Sequence, residues 1–143
     1  MSKSKKILYI STLSILILLI ICTFLSKFIA EAIMPVVEVI SPVSMKLSIT
    51  DDNGESYERE FERVIPNSAI ITGAFNQKYV YITRQNRGLF GLEYIVRLLE
   101  VQVIADNGIY AAIEGWNVTI LDNVVISPPN NLTSGEVVKV IIK

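Results

Sequence analysis

Two regimes of hydrophobic patterning divide the chain near Pro35. Residues 7–26 read ILYISTLSILILLIICTFLS and carry no charged side chain. A run of about 20 apolar residues suits the hydrocarbon core of a bilayer, and no polar face interrupts it as on a soluble amphipathic helix. Its polar members are Ser, Thr and Cys, whose side chains can bond back to the helix's own carbonyls at little cost in lipid. Residues 27–35 extend the helix beyond the apolar run until Pro35 ends or kinks it. Phe28, Ile29, Ile33 and Met34 in this extension suit either the membrane surface or packing on the domain that follows.

Beyond Pro35 the helical period disappears. Val, Ile, Thr and Tyr dominate, and turn residues recur at short intervals. The pattern predicts strands near 36–40, 45–50, 57–65, 69–72, 79–84, 94–105, 109–114, 123–127 and 137–142. Between them stand the turn signals Asp51-Asp52-Asn53-Gly54, Pro66-Asn67, Arg87-Gly88, Asp106-Asn107-Gly108, Pro128-Pro129-Asn130-Asn131 and Ser134-Gly135. Asn107-Gly108 is the strongest of these, since an Asn-Gly pair between strands suits a type I′ hairpin. The expected fold class is mainly β: one N-terminal transmembrane helix, then a small antiparallel β-barrel or sandwich over residues 36–143.

Composition narrows the chemistry. Of 143 residues, 51% are hydrophobic, an excess concentrated in the first forty or so. Formal net charge is −1, so no strong field points to nucleic acid. Histidine is absent and Cys22 is the sole cysteine. The chain therefore has no Ser-His-Asp or Cys-His pair, no Cys/His zinc site within one copy, and no intrachain disulfide. Its β-domain has to hold together by packing.

Charge also orients the apolar helix. Lys3, Lys5 and Lys6 precede it, whereas Lys27 is soon followed by Glu31 and Glu38. The positive-inside bias puts residues 1–6 in the cytoplasm and residues 36–143 outside, as a single-pass protein of the cell membrane in contact with its lipid. Two competing readings concern processing. Ala30-Glu31-Ala32 has the form of a signal-peptidase site, although the apolar core exceeds that of ordinary signal peptides. A lipid anchor on Cys22 would want a small residue before it, where Ile21 is bulky.

Several passages together resemble a known family. Val64-Ile65-Pro66-Asn67-Ser68-Ala69-Ile70, followed by Lys78-Tyr79-Val80-Tyr81-Ile82, is similar to the "V-P-x-S-A-[IL] … x-Y-V-[YF]-V" passage of bacterial membrane fusion proteins. These are the periplasmic adaptor subunits of RND and ABC-type efflux systems. The long strand pattern from Tyr94 to Val103 resembles one that follows in that family. So do Ala111-Ala112-Ile113-Glu114-Gly115, Asp122-Asn123-Val124-Val125-Ile126-Ser127 and the closing Leu132-Thr133-Ser134-Gly135-Glu136-Val137-Val138-Lys139-Val140. Pro35-Val36-Val37-Glu38-Val39 resembles the start of the exported part of such adaptors in single-membrane bacteria.

There are two departures. The stretch from Val39 to Ile65 is too short for the family's lipoyl and α-hairpin domains. The turn Gly115-Trp116-Asn117-Val118-Thr119-Ile120-Leu121-Asp122 is longer than the family's and lacks its second Gly. The resemblance thus implies a minimal adaptor, with the anchor and the membrane-proximal β-region alone. It implies an ABC or RND-type transporter as partner, or another envelope protein, and a possible ring of copies as homo-oligomer.

Candidate contact residues follow from apolar side chains at turns. Residues 85–92, QNRGLFGL, read as a hairpin tip that presents Leu89 and Phe90 to lipid or to a transporter, or folds Phe90 back onto its own sheet. Trp116 in the lengthened turn suits either an interface or packing within the turn. Asp51, Asn53, Glu55 and Glu62 have EF-hand-like spacing, but Ser56 stands where the motif needs Gly, which leaves a polar turn. In YEREFER (residues 57–63), Tyr57 and Phe61 share one strand face, and the charges make a solvated face guarding an edge or meet a charged partner. Asn117-Val118-Thr119 and Asn131-Leu132-Thr133 match the glycosylation acceptor, without consequence in a bacterial setting.

Glu93, Glu100, Asp106, Glu114 and Asp122 are scattered, and no second group marks any pair as catalytic. No catalytic, cofactor or metal residue is assigned, and the chain is expected not to be an enzyme. Two functions remain in view. One is a transport accessory docked on a transporter's outer face. The other is a structural or assembly protein of the cell envelope. A ligand-sensing outer domain is a weaker third, because residues 1–6 cannot form a signalling domain.

Overall fold

The computed structural model describes residues 3–50, 54–88, 91–115 and 118–143, with side chains described from Lys6 onward. The chain forms two units, residues 1–34 and 35–143. The first is α1 (Lys3–Ile33), whose apolar stretch is long enough to cross a membrane. As the composition of the run suggests, two of its threonines bond back to the helix. Thr12 Oγ1 donates to the Leu8 carbonyl and Thr23 Oγ1 to the Leu19 carbonyl, each at 2.8 Å. The helix stops at Ile33, two residues before Pro35, whose ring cannot continue the ladder.

The second unit is mainly strand. In order it contains β1 (Val36–Ile40), β2 (Val43–Thr50), β3 (Ser56–Pro66), a 3-10 turn (Asn67–Ala69) and β4 (Ile70–Thr72). Then come β5 (Lys78–Gly88), β6 (Gly91–Asp106), β7 (Tyr110–Glu114), β8 (Asn123–Ile126) and β9 (Val137–Ile142). They form one continuous sheet in the order β2-β3-β7-β6-β9-β1-β8-β5-β4, and β5 also pairs with β6. That extra pairing closes β1, β8, β5, β6 and β9 into a ring, a small barrel. Every pairing among the described residues is antiparallel except β1 with β9, where Val36 lies opposite Lys139 and Val39 opposite Ile142.

The ring's interior is filled from all five strands. Val37 and Val39 of β1, Tyr81 of β5, Val96 of β6, Val125 of β8 and Val138 of β9 pack there with Leu132 from the loop before β9. A barrel of so few strands has a narrow interior, which accounts for the preponderance of valine. Within this core the phenol of Tyr81 donates to the Leu132 carbonyl at 2.6 Å. The same loop is laced to β6, with Val96 N–H donating to the Glu136 carbonyl and Gly135 N–H to the Val96 carbonyl.

A second core lies on the other face of β5. Val80 and Ile82 there meet Val101 of β6, Val124 of β8, Ile65 of β3, Ile113 of β7 and Ala69 of the 3-10 turn. Residues 80–83 are buried in succession, because β5 is covered on both faces. This explains why the sequence there is an apolar run without alternation. A third core joins Leu47, Phe61, Val64, Ala105 and Ala112 across β2, β3, β6 and β7.

All nine expected strands are present, and the differences are local. The Asn107-Gly108 turn joins β6 to β7 but is not type I′, because that turn needs positive φ at both central residues and here Gly108 has it (φ 88) while Asn107 does not. Asn107 instead uses its side-chain oxygen to accept from the Ile109 and Tyr110 amides at 3.1 and 2.8 Å. The strand expected from residue 69 begins at Ile70, after the 3-10 turn that follows Pro66. The hairpin tip is also shorter than residues 85–92, because β5 and β6 pair out to Gly88 and Gly91.

Two substitutions measure this packing in the full chain, solubilised in mild detergent and unfolded with urea. Ile82→Ala removes a wholly buried side chain from the second core and should cost about 2–5 kcal/mol. Thr83 is buried with its hydroxyl unpartnered in the structure, so Thr83→Val should hold stability or raise it by about 1 kcal/mol.

Candidate docking surface

No group of three or more His, Cys, Asp or Glu among the described residues is placed to hold a metal ion. The scattered carboxylates go to separate tasks. Asp106 accepts from Asn67 Nδ2 at 2.7 Å and from the Gly108 amide at 2.6 Å, fastening the β6–β7 turn to the 3-10 turn. Asp122 accepts from the Thr119 amide and hydroxyl and lies 3.7 Å from Arg84 Nε. Glu100 stands opposite Tyr79 and Glu93 opposite Asn86 along the β5–β6 ladder. Glu114 is the exception: it lines a cleft of about 170 Å³ with Glu60, Glu62 and Arg63.

The sequence-based contact residues Leu89, Phe90 and Trp116 lie outside the described residues, as do Asp51 and Asn53 of the acidic turn. Their immediate frames are described. Gly91 starts β6 with φ 130, a conformation that a side chain at this position would strain. Next to it Leu92 is 72% exposed, opposite Arg87 in the ladder. Gln85 Nε2 then donates to the Tyr94 hydroxyl at 2.9 Å across the hairpin. One residue, Arg63, bonds to both Gly115 and Val118. Arg63 Nη1 donates to the Gly115 carbonyl at 3.0 Å and to the Val118 carbonyl at 2.8 Å. Val118 itself is buried in the second core.

Register shows what surrounds the hairpin. β8 begins at Asn123, opposite Thr83, so the residues just before it lie beside Arg84. β9 ends at Ile142, opposite Val39, near the end of β1. Its antiparallel register with β6, Val138 opposite Tyr94, directs its last residues towards the start of β6. Thus β1 ends, β8 starts and β9 ends at the end of the barrel from which the β5–β6 hairpin projects. Pro35, whose carbonyl accepts from the Lys139 amide, is at the opposite end.

The hairpin end carries several exposed aliphatic side chains. Leu121 is 87% exposed and Ile142 71%, and Ile120 and Ile141 are also more than half exposed. Together with Leu92 they make a rim of large aliphatic side chains turned to solvent. Among the described residues near the rim, Arg84 pairs with Asp122 and Lys143 with Glu38, the latter at 2.9 Å. Large exposed apolar groups gathered in one region mark contact surfaces more often than reaction centres. Reading the sequence alone singled out the hairpin but not Ile120, Leu121, Ile141 or Ile142. These look like ordinary strand-flanking residues until register brings the ends of three strands together.

Compared with protein-family models, curated proteins and solved structures, the chain matches none.

Arg63 supplies a test of how Gly115 and Val118 are held. Arg63→Met keeps the aliphatic stem and removes both donors, leaving the Gly115 and Val118 carbonyls unpaired. The expected cost is about 2–3 kcal/mol. Amide hydrogen exchange should accelerate locally in residues 118–122 before global unfolding.

Proposed function

We propose that this protein is a non-catalytic, membrane-anchored accessory subunit that works by contact, docking the hairpin end of its β-domain on the outer face of an ABC or RND-type transporter. The N-terminus lies in the cytoplasm and the β-domain outside, in accord with the lysines before α1 and the glutamates after it. The observation that carries the reading is the rim of Leu92, Ile120, Leu121, Ile141 and Ile142, aliphatic and solvent-exposed around a projecting hairpin.

A further feature supports the likeness to membrane fusion proteins. In β1, the strand that directly follows the anchor, Val39 pairs with Val125 of β8 on one side and with Ile142 of β9 on the other. The passages that resemble the two ends of an adaptor are therefore neighbours in one barrel. A chain that omits the adaptor's distal domains keeps a self-contained membrane-proximal piece by this pairing. Substrate movement and energy coupling belong to the transporter.

Crosslinking pull-down of the full-length protein from native membranes tests the proposal. The wild-type chain should recover a transporter. Each exposed aliphatic side chain buried at an interface contributes about 1–2 kcal/mol. The triple variant Leu92→Ser/Leu121→Ser/Ile142→Ser should therefore lower recovery by about tenfold or more while the chain remains folded. Recovery of an exported envelope protein in place of any transporter would shift the assignment to envelope assembly. Recovery unchanged by the triple variant would remove the rim from the contact.

A further inference from the structure

A different surface, on the β2–β3 arm, has a strand edge with no paired strand among the described residues. β3 pairs with β2 from Ser56 onward, but its ladder with β7 begins only at Val64, opposite Ala112. A bulge lies in the ladder with β2 at this point. Met45 lies opposite Phe61 and Val43 opposite Val64, so β3 carries one more residue than β2 over this interval. Such an insertion bends and twists its strand. β7 itself ends at Glu114, which the register puts level with Glu62, so the second edge of β3 over residues 56–61 has no strand beside it among the described residues.

The chemistry of this edge is specific. Tyr57, Arg59 and Phe61 share one face. Phe61 is buried in the third core, with the Arg59 guanidinium 5.5 Å from its ring centre. Glu58 and Glu60 occupy the opposite, exposed face, where the cross-strand partners from β2 are Ser48 and Lys46. Where β3 leaves β7, Glu60, Glu62 and Glu114 line the cleft together with the apolar Phe61, Ile104 and Ile113. Arg63 is the cleft's one cation, and its guanidinium is engaged by the Gly115 and Val118 carbonyls. A lysine or arginine suits such a cleft, with its methylene stem against the aliphatic wall and its charge among the carboxylates.

A second copy of this chain is a poor occupant. Two-fold antiparallel addition of β3 to β3 keeps each face on its own side, so the glutamates of one strand would oppose those of the other, and like charges directly opposite destabilise a pair. We propose instead that the open half of β3 binds an extended segment of a partner protein by strand addition, and that this segment carries lysine or arginine at alternate positions. Backbone hydrogen bonds to the open edge supply the attachment. The ion pairs with Glu58, Glu60, Glu62 and Glu114 select the partner. This surface is separate from the aliphatic rim, and the proposal stands whether or not the rim contacts a transporter.

The test uses the full chain in a neutral detergent and a fluorescent seven-residue probe peptide that alternates lysine with valine or threonine. Fluorescence anisotropy at low salt should show saturable binding. A probe with glutamate in place of lysine should not bind. Two further probes keep every charge but carry N-methyl groups on alternate residues, one on each edge. Strand addition uses one edge of the peptide, so one N-methylated probe should bind as the parent does and the other should lose about tenfold or more. Glu58→Lys/Glu60→Lys should weaken the lysine probe by a similar factor and admit the glutamate probe. Equal binding of both N-methylated probes would mean attraction by charge alone and would overturn the proposal. Absence of binding by the lysine probe would overturn it too, leaving the charges as protection against edge pairing.

Discussion

The architecture of the β-domain depends on β6 being shared. Its sixteen residues pair with β5 along the hairpin, with β9 at Tyr94 and Ile95, and with β7 from Gln102 onward. The first part of the strand closes the ring and the last part belongs to the arm of β7, β3 and β2. A bulge between Val103 and Ala105 marks the passage to the third core. Because one strand serves both assemblies, the second core can form between them, and β5 becomes covered on both faces. A chain without a disulfide available to the domain has only such burial to hold it, and burial of this kind grows with each face covered.

The same arrangement separates two surfaces of different character. At the hairpin end, where three strands start or stop, aliphatic side chains have no further layer to cover them. Along the first half of β3, β7 no longer reaches and carboxylates take up the exposed face. One surface would favour association through apolar area, with little selectivity. The other would favour association through backbone hydrogen bonds with strong selectivity for charge. Under the proposed accessory role, both surfaces would serve contact with partners. Both lie on a rigid frame whose cores are made mostly of valine, isoleucine and alanine.

The hydrophobic pattern made most of the fold legible. The uncharged run before Ser26 announces α1, and Pro35 announces its end. β-branched runs between turn residues place every strand to within a few residues. The frame of the domain is therefore a local property, expressed in propensity and periodicity over short windows. What escaped the pattern was decided by pairing. The Asn-Gly sequence suits a tight type I′ turn, but the side chains of Asp106 and Asn107 satisfy the turn's amides and Asn67 ties it down, so a looser turn forms. The Val80–Thr83 stretch contains no information about which face meets which core.

The candidate surfaces were legible in part only. A glycine-flanked Leu-Phe pair suggests a hairpin tip, and an alternating Glu/Arg strand suggests a solvated edge. Neither passage shows that Leu92, Leu121 and Ile142 share an end of the barrel, or that Glu114 joins Glu60 and Glu62 at a cleft, because each grouping joins residues far apart in the chain. By itself the sequence determined an apolar helix that can cross a membrane, nine strands, and the absence of histidine and of a second cysteine. Only the tertiary structure decided that β1 lies between β8 and β9, that the ring closes through β5 and β6, and that half of β3 is left open. The physical reason is that strand order and register are settled by competition among long-range pairings for buried area, and no short window of sequence carries the outcome.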